Sequence, residues 1–326
     1  MLSRAFYYAI KPYLPWRVRM VFRRIVAKRR LARSHAIWPI DQAAARVPSD
    51  WPGWPEGKKF AVVLTHDVEG PKGLAQCRRF AEVEKALGYR SSFNFIPEGS
   101  YVVPSELRQS LTADGFEVGV HDLEHDGHLY DSRHGFERKA MGINRYLREW
   151  SAVGFRSGFM LRNLDWIHRL DIQYDLSTFD TDPFEPQPES ARTIFPFWVP
   201  TPGGDPTADA AHPGYSGYAE LPYTLPQDST LFLLLQEKTN AIWRQKLDWV
   251  AQHGGMVLLN VHPDYLSFGG KDPDHPLCVE DHYTDLLRYL TKTYGSTFWP
   301  ALPRDVSAFV HRWKNQAGVA GCSTLP

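Results

Sequence analysis

Two rhythms alternate along the chain. Short apolar runs bounded by Gly, Pro or Asp read as strands at 59–66, 91–97 ("SSFNFIP"), 116–122 ("FEVGVHD"), near 154–157 and 173–179, at 255–262 ("GMVLLNVH") and at 297–302 ("TFWPAL"). Between them, apolar positions three or four apart read as helices. Leu74, Cys77, Phe80, Val83 and Leu87 form one such stripe, and further helices are expected over 104–115, 132–150, 236–253, 279–293 and 303–313. Strands alternating with helices predict an α/β fold with a largely parallel sheet. About seven such units in one run favour a barrel over an open, doubly wound sheet. Residues 181–220, rich in Pro, Gly and Asp, are expected to loop over one face and shape the mouth. The boundaries that follow are an N-terminal extension (1–46), a Pro- and Trp-rich connector (47–57, "VPSDWPGWPEG"), a barrel (58–314) and a C-terminal tail (315–326).

Charge changes the picture at one end only. The net charge is zero, yet residues 1–34 hold ten Lys or Arg and no acid, leaving 27 basic against 37 acidic residues in the remainder. Within "RVRMVFRRIVAKRRLAR", Val18, Val21, Phe22, Ile25 and Val26 share one helical face. Such a helix suits an anionic membrane surface, or it packs on the domain's own flank with its arginines solvated. No nucleic-acid motif accompanies the charge, so no nucleic-acid partner is expected. Basic residues interrupt every apolar stretch of this segment, which excludes a signal peptide, and no run is long enough to span a bilayer. Three cysteines (Cys77, Cys278, Cys322) without CxxC spacing argue against a disulfide framework. A cytoplasmic protein is expected, peripheral at the inner membrane face if the basic helix binds lipid. The aromatic content of 13% is high, a weak pointer to a carbohydrate or peptide site.

Candidate chemistry collects where strands end. His66, Asp67 and Glu69 follow the first strand, His121, His125 and His128 the third, and His262, Pro263 and Asp264 the sixth. In a parallel barrel these ends share the mouth. His121 and His125 are four apart, so one helical turn would aim both imidazoles the same way. With a carboxylate from "HDVEG" they make a two-histidine, one-acid set that suits zinc or another first-row metal. His66, out of phase with Asp67 on an extended strand, is expected in the core.

These residues resemble the polysaccharide deacetylases of carbohydrate esterase family 4, the NodB-homology domain. "THDVE" (65–69) is similar to a variant of the family's first motif. By that resemblance Asp67 is the catalytic base and Glu69 a metal ligand. The second motif, H-x-x-x-H, matches His121 and His125, the other ligands. Arg156 in "GFRSG" resembles the arginine that orients the base, and Asp180 in "STFDTD" the acid that holds that arginine. "LLNVH" resembles the fifth motif and gives His262 as general acid. The motifs keep family order over about residues 58–265. Two departures stand out: Glu69 replaces the usual Asp, and no proline follows the arginine of "RSGF".

The resemblance implies a distorted (β/α) barrel and a hydrolase dependent on a divalent metal, Zn2+ first, that removes acetyl groups from a glycan or a lipid-linked sugar precursor. Other readings stay open on the sequence. They are an allantoinase-like amidohydrolase acting on another C–N bond, with or without metal, and a degenerate barrel that binds glycan without cleaving it. A non-haem iron oxygenase fits less well, because the paired histidines carry no HxD or HxE and the chain is not β-rich.

Overall fold

The computed structural model describes residues 16–202, 217–265 and 279–322. A first helix, α1 (Trp16–Leu31), precedes the sheet. Parallel strands β1 (Phe60–Val68), β2 (Ser92–Phe95), β3 (Glu117–His121), β4 (Gly154–Arg156) and β5 (Tyr174–Asp175) follow, with helices α2 (Pro71–Ala86), α3 (Ser105–Ala113) and α4 (Arg133–Trp150) between the first four. Then come β6 (Phe197–Pro200), β7 (Gly217–Glu220), α5 (Ala241–Gln252), β8 (Met256–Asn260), α6 (Val279–Tyr294), β9 (Phe298–Pro300) and α7 (Pro303–Cys322).

The sheet runs β6-β7-β5-β4-β3-β2-β1-β8, with β9 pairing the start of β1. It curls without closing its ladder. Phe179 and Tyr223 form one parallel bridge, and beyond it Thr224 and Leu225 both donate backbone N–H to Leu258 O at 3.0 and 3.1 Å. Thr224 Oγ1 adds bonds to Met256 O and Leu258 N, so a side chain substitutes for missing ladder pairs across the gap. The result is an incompletely closed, distorted β/α barrel.

Alternation along β1 sets the layers. Ala61 and Val63 point into the barrel with Leu176, Leu221, Tyr223 and Leu258, and α7 plugs that interior from below with Val306, Phe309, Val310 and Trp313. Val62, Leu64 and Val68 face outward against Phe80, Trp243, Tyr283 and Leu287 of the helices. Both faces of β1 are therefore buried, the reason the strand reads as an unbroken apolar run. Asp67 continues the inward column above Thr65, at the C-terminal end of the sheet.

Several boundaries differ from expectation. The stretch 181–220 is not all loop: β6 and β7 pair antiparallel within it, Phe197 opposite Glu220, and residues 203–216 lie outside the described residues. Within the 1–46 extension, Trp38 and Ala44 belong to the main core and Ala44 O accepts from Ile194 N. The connector is structural too. Trp51 packs against Trp54, Phe195, Phe309 and Trp313, sealing the lower end of the barrel. The last helix continues past 314 to Cys322, where a tail was expected. Cys77 is buried and unpaired, and Cys278 lies outside the described residues. Among the described residues, no helix is long and apolar enough to cross a membrane.

Candidate active site

Register brings the ionisable strand ends together. Asp67 on β1 stands opposite Asn94 on β2, and His121 on β3 opposite Arg156 on β4. Asn94 Nδ2 and Arg156 Nη1 donate to Asp67 Oδ1 at 3.0 and 3.1 Å, while Asn260 Nδ2 donates to Oδ2 at 2.8 Å. Gly119, beside Asn94 on β3, leaves the room this needs: a Cβ there would strike the Asn94 amide. Burial would raise the Asp67 carboxyl, but the Arg156 charge, then His121 and His262, outweigh it and hold the group well below the usual carboxylate range. Asp67 is thus an aimed, ionised and almost fully buried carboxylate.

Glu69 lies two residues on, where the chain leaves the strand, and keeps 27% side-chain exposure toward the mouth. Its Oε1 is 3.3 Å from His125 Nε2 and 3.8 Å from His262 Nε2, and Oε2 accepts from Tyr265 at 3.3 Å. Burial opposes its ionisation, yet His125 above all holds the carboxyl low. The backbone at Glu69 is fixed by a residue given no role in the sequence reading. Asp264 accepts from Glu69 N at 2.8 Å and from Gly73 N at 3.1 Å, capping the start of α2.

His121 and His125 meet as the spacing requires, ring centroids 4.8 Å apart, but not through a helical turn. The chain leaves β3 in a loop in which Asp122 (φ 57°) and His125 (φ 55°) take left-handed conformations rare for side-chain-bearing residues. Asp122 steadies the loop by accepting from Leu123 N and Gly158 N. His125 packs against Phe159, ring centroids 4.3 Å apart and tilted by 31°. His128 turns away to solvent and pairs with Asp131 at 2.7 Å.

The donor set fits a divalent cation. Ligating atoms of Glu69, His121 and His125 all lie within 4.8 Å of one another. His121 Nε2 is buried without a hydrogen-bond partner, 4.0 Å from Asp67 Oδ2, a costly state that a Lewis acid would relieve, and His125 Nε2 faces Glu69 Oε1 at 3.3 Å in poor hydrogen-bond geometry. His121 Nδ1 donates to Arg156 O at 3.1 Å, which leaves Nε2 as the lone-pair nitrogen, the tautomer a metal ligand needs.

His262 follows β8 and is the best-braced imidazole of the site. Asp228 accepts from its Nδ1 at 2.6 Å and from its backbone N at 2.9 Å. Burial would lower its pKa, but Asp228 outweighs that and pushes it up to about 10, so the ring carries a proton at neutral pH. Asp228 escaped the sequence reading because it sits in "LPQDST", just ahead of a π-helical turn (Ser229–Leu234), far from any strand end or periodic element. Asn94 and Asn260 were overlooked within strands whose apolar neighbours dominated the pattern.

Two expectations need separate treatment. Asp180 does not hold Arg156. It is buried against Lys246 Nζ at 2.8 Å, whereas Arg156 donates to Leu176 O, Thr65 Oγ1 and Asp67. The chain meets Arg156 at Leu176 O and then carries Asp180 on to Lys246 of α5, so among the described residues Asp67 is the carboxylate that pairs with the arginine. His66 lies in the core as its phase requires, between Val261 O and Glu84 and against Phe80 and Phe93.

This fold is that of the polysaccharide deacetylases, so the resemblance read in the motifs is met at the level of architecture. A structure described as a candidate polysaccharide deacetylase from Mycobacterium smegmatis superposes with a TM-score of 0.57 at 17% identity, covering 82% of this chain and 96% of that one. A peptidoglycan deacetylase from Bacillus subtilis aligns more loosely, with a TM-score of 0.41 at 12% identity over 83% of this chain and all of that one. No family model and no curated protein sequence matches the chain.

Proposed function

We propose that this protein is a metal-dependent hydrolase that removes acetyl groups from a carbohydrate. The observation that carries the reading is the convergence of His121, His125 and Glu69, whose donor atoms lie within 4.8 Å of one another, flanked by an ionised Asp67 and a protonated His262. Glu69, His121 and His125 would hold the ion, zinc being the first choice for two imidazoles and a carboxylate. When bound, it supplies Lewis-acid activation of water and of the acyl carbonyl.

The chain's own groups do the rest. Asp67 takes the proton of the attacking water, and Arg156, Asn94 and Asn260 fix the direction of its oxygens. Ionisation at neutral pH comes from Arg156, so base strength is traded for permanent readiness. His262 Nε2–H protonates the leaving nitrogen or oxygen of the sugar, and Asp228 stabilises the imidazolium before transfer and orients the ring. Burial of Asp67, His121 and Arg156 keeps bulk water from screening these charges.

Acetate release tests the reading. Purified protein is incubated with an N-acetylated chito-oligosaccharide and with p-nitrophenyl acetate, each after chelation and after zinc addition. Release that chelation abolishes and zinc restores supports it. Zinc-loaded protein that binds the oligosaccharide but releases no acetate from either compound would replace it with a glycan-binding barrel.

A further inference from the structure

Helix α1 is mounted the wrong way round for a helix that serves only its own domain. Its inward side holds the body with polar bonds: Arg24 Nε donates to Leu233 O at 3.1 Å, and Arg30 Nη1 to Pro183 O and Glu185 O at 2.9 and 3.1 Å. Among the described side chains, Met20, Ala27 and Leu31 supply its apolar contact. The larger apolar side chains point to solvent instead. Val21 is 53% exposed, Phe22 61%, Ile25 44% and Val26 48%, and they form one continuous stripe. This reverses the flank-packing expectation, in which the stripe faces the domain and the arginines face water. Four exposed apolar residues on adjacent turns are an unfavourable surface unless something covers them.

Charge identifies the cover. Arg23, Lys28, Arg29 and Arg33 are exposed around and beyond the stripe, and no acid occurs before Asp41. An apolar strip running into a cationic turn matches the boundary of an anionic bilayer, acyl chains beneath and phosphates above. The place of the helix gives this meaning. Leu233, which accepts from Arg24, lies in the turn Ser229–Leu234 that follows Asp228, the partner of His262. A surface that receives α1 therefore lies beside the barrel mouth.

We propose that the outward face of α1 docks on an anionic lipid bilayer, seating the mouth at the membrane surface. The inference stands apart from the hydrolase reading, since no catalytic step enters it. Full-length protein is floated with phosphatidylcholine vesicles containing one-quarter phosphatidylglycerol, and with phosphatidylcholine alone, at low and high salt. Co-flotation with the anionic vesicles only, weakened by salt, is expected. Phe22→Ser/Ile25→Ser is expected to lower the floated fraction at least tenfold, and Lys28→Gln/Arg29→Gln several-fold, with circular dichroism and elution volume unchanged. Equal flotation of wild type and both variants, or none by the wild type, would overturn the proposal. So would a wild-type dimer that Phe22→Ser/Ile25→Ser converts to monomer without vesicles, since a second copy would then be the cover. Protection of a cysteine introduced as Phe22→Cys from a soluble maleimide, lost on truncation of residues 1–15, would assign the stripe to the chain's own N-terminus and also refute it.

Discussion

Asp228 shows how a single residue outside every motif sets the chemistry of one inside. With His262 pushed up to about 10, the acid form persists through neutral pH and is lost only as pH rises through that value. Asp228→Asn keeps a hydrogen-bonding partner of the same size but removes the charge. Its pH–rate profile is expected to lose its alkaline side at lower pH than wild type, with turnover at pH 8 down about 10–100-fold. Superimposable profiles would show that Asp228 only shapes the loop. The same comparison explains what a sequence shows at this scale. Asp67, His121 and His262 were legible because each ends a strong apolar strand, and position on a parallel sheet then implies a shared mouth. Asp228, Asn94 and Asn260 were not, because hydrogen bonding across the barrel leaves no periodic trace. Asp180 misled for a related reason: its sequence neighbourhood fits an arginine partner, and only the path of the chain after β5 delivers it to Lys246.

At the scale of elements, the loop between β1 and α2 is where packing and chemistry meet. Asp264 holds both Glu69 N and Gly73 N, and any Cβ at Gly73 would occupy the position of its carboxylate. Gly73→Ala is therefore expected to push Asp264 out, costing about 1–3 kcal/mol of stability by overpacking and lowering zinc affinity through the displaced Glu69. Urea denaturation and a zinc titration check it, and wild-type values in both would mean the cap yields without consequence. A second element-level prediction lies far from the mouth. Glu117, at the start of β3, is buried, and that burial raises its pKa to about 7 although Tyr174 and the Arg304 N–H donate to it. A carboxyl raised on folding stabilises the protein below about pH 4.5, and that contribution is lost as pH rises through 7, on the order of 3 kcal/mol. Glu117→Gln stays neutral, so its stability is expected to be flat across that window where wild type declines. Parallel curves for the two proteins would contradict it. Helices and long strands were readable from their period. The antiparallel pair β6–β7 was not, because Pro and Gly bracket strands of four residues whose partner is set by tertiary contact.

The whole molecule joins the ends of β1, β2, β3, β4 and β8 into one mouth, with Trp51 and Trp54 sealing the opposite end and α1 lying against the mouth's rim. The barrel followed from alternating rhythms, while its incomplete closure did not, since closure depends on Thr224 replacing ladder bonds with a side chain. The central claim is that two acids separated by one valine divide the work of base and ligand. Zinc occupancy and acetate release, measured side by side on wild type, Asp67→Asn and Glu69→Gln, test it most directly. Asp67→Asn is expected to retain zinc while turnover falls about 10²–10⁴-fold, as for other lost acid–base groups. Glu69→Gln is expected to lose both zinc and turnover. Zinc lost from Asp67→Asn and retained by Glu69→Gln would exchange the two roles, and full zinc in both proteins would remove the pair from the metal altogether.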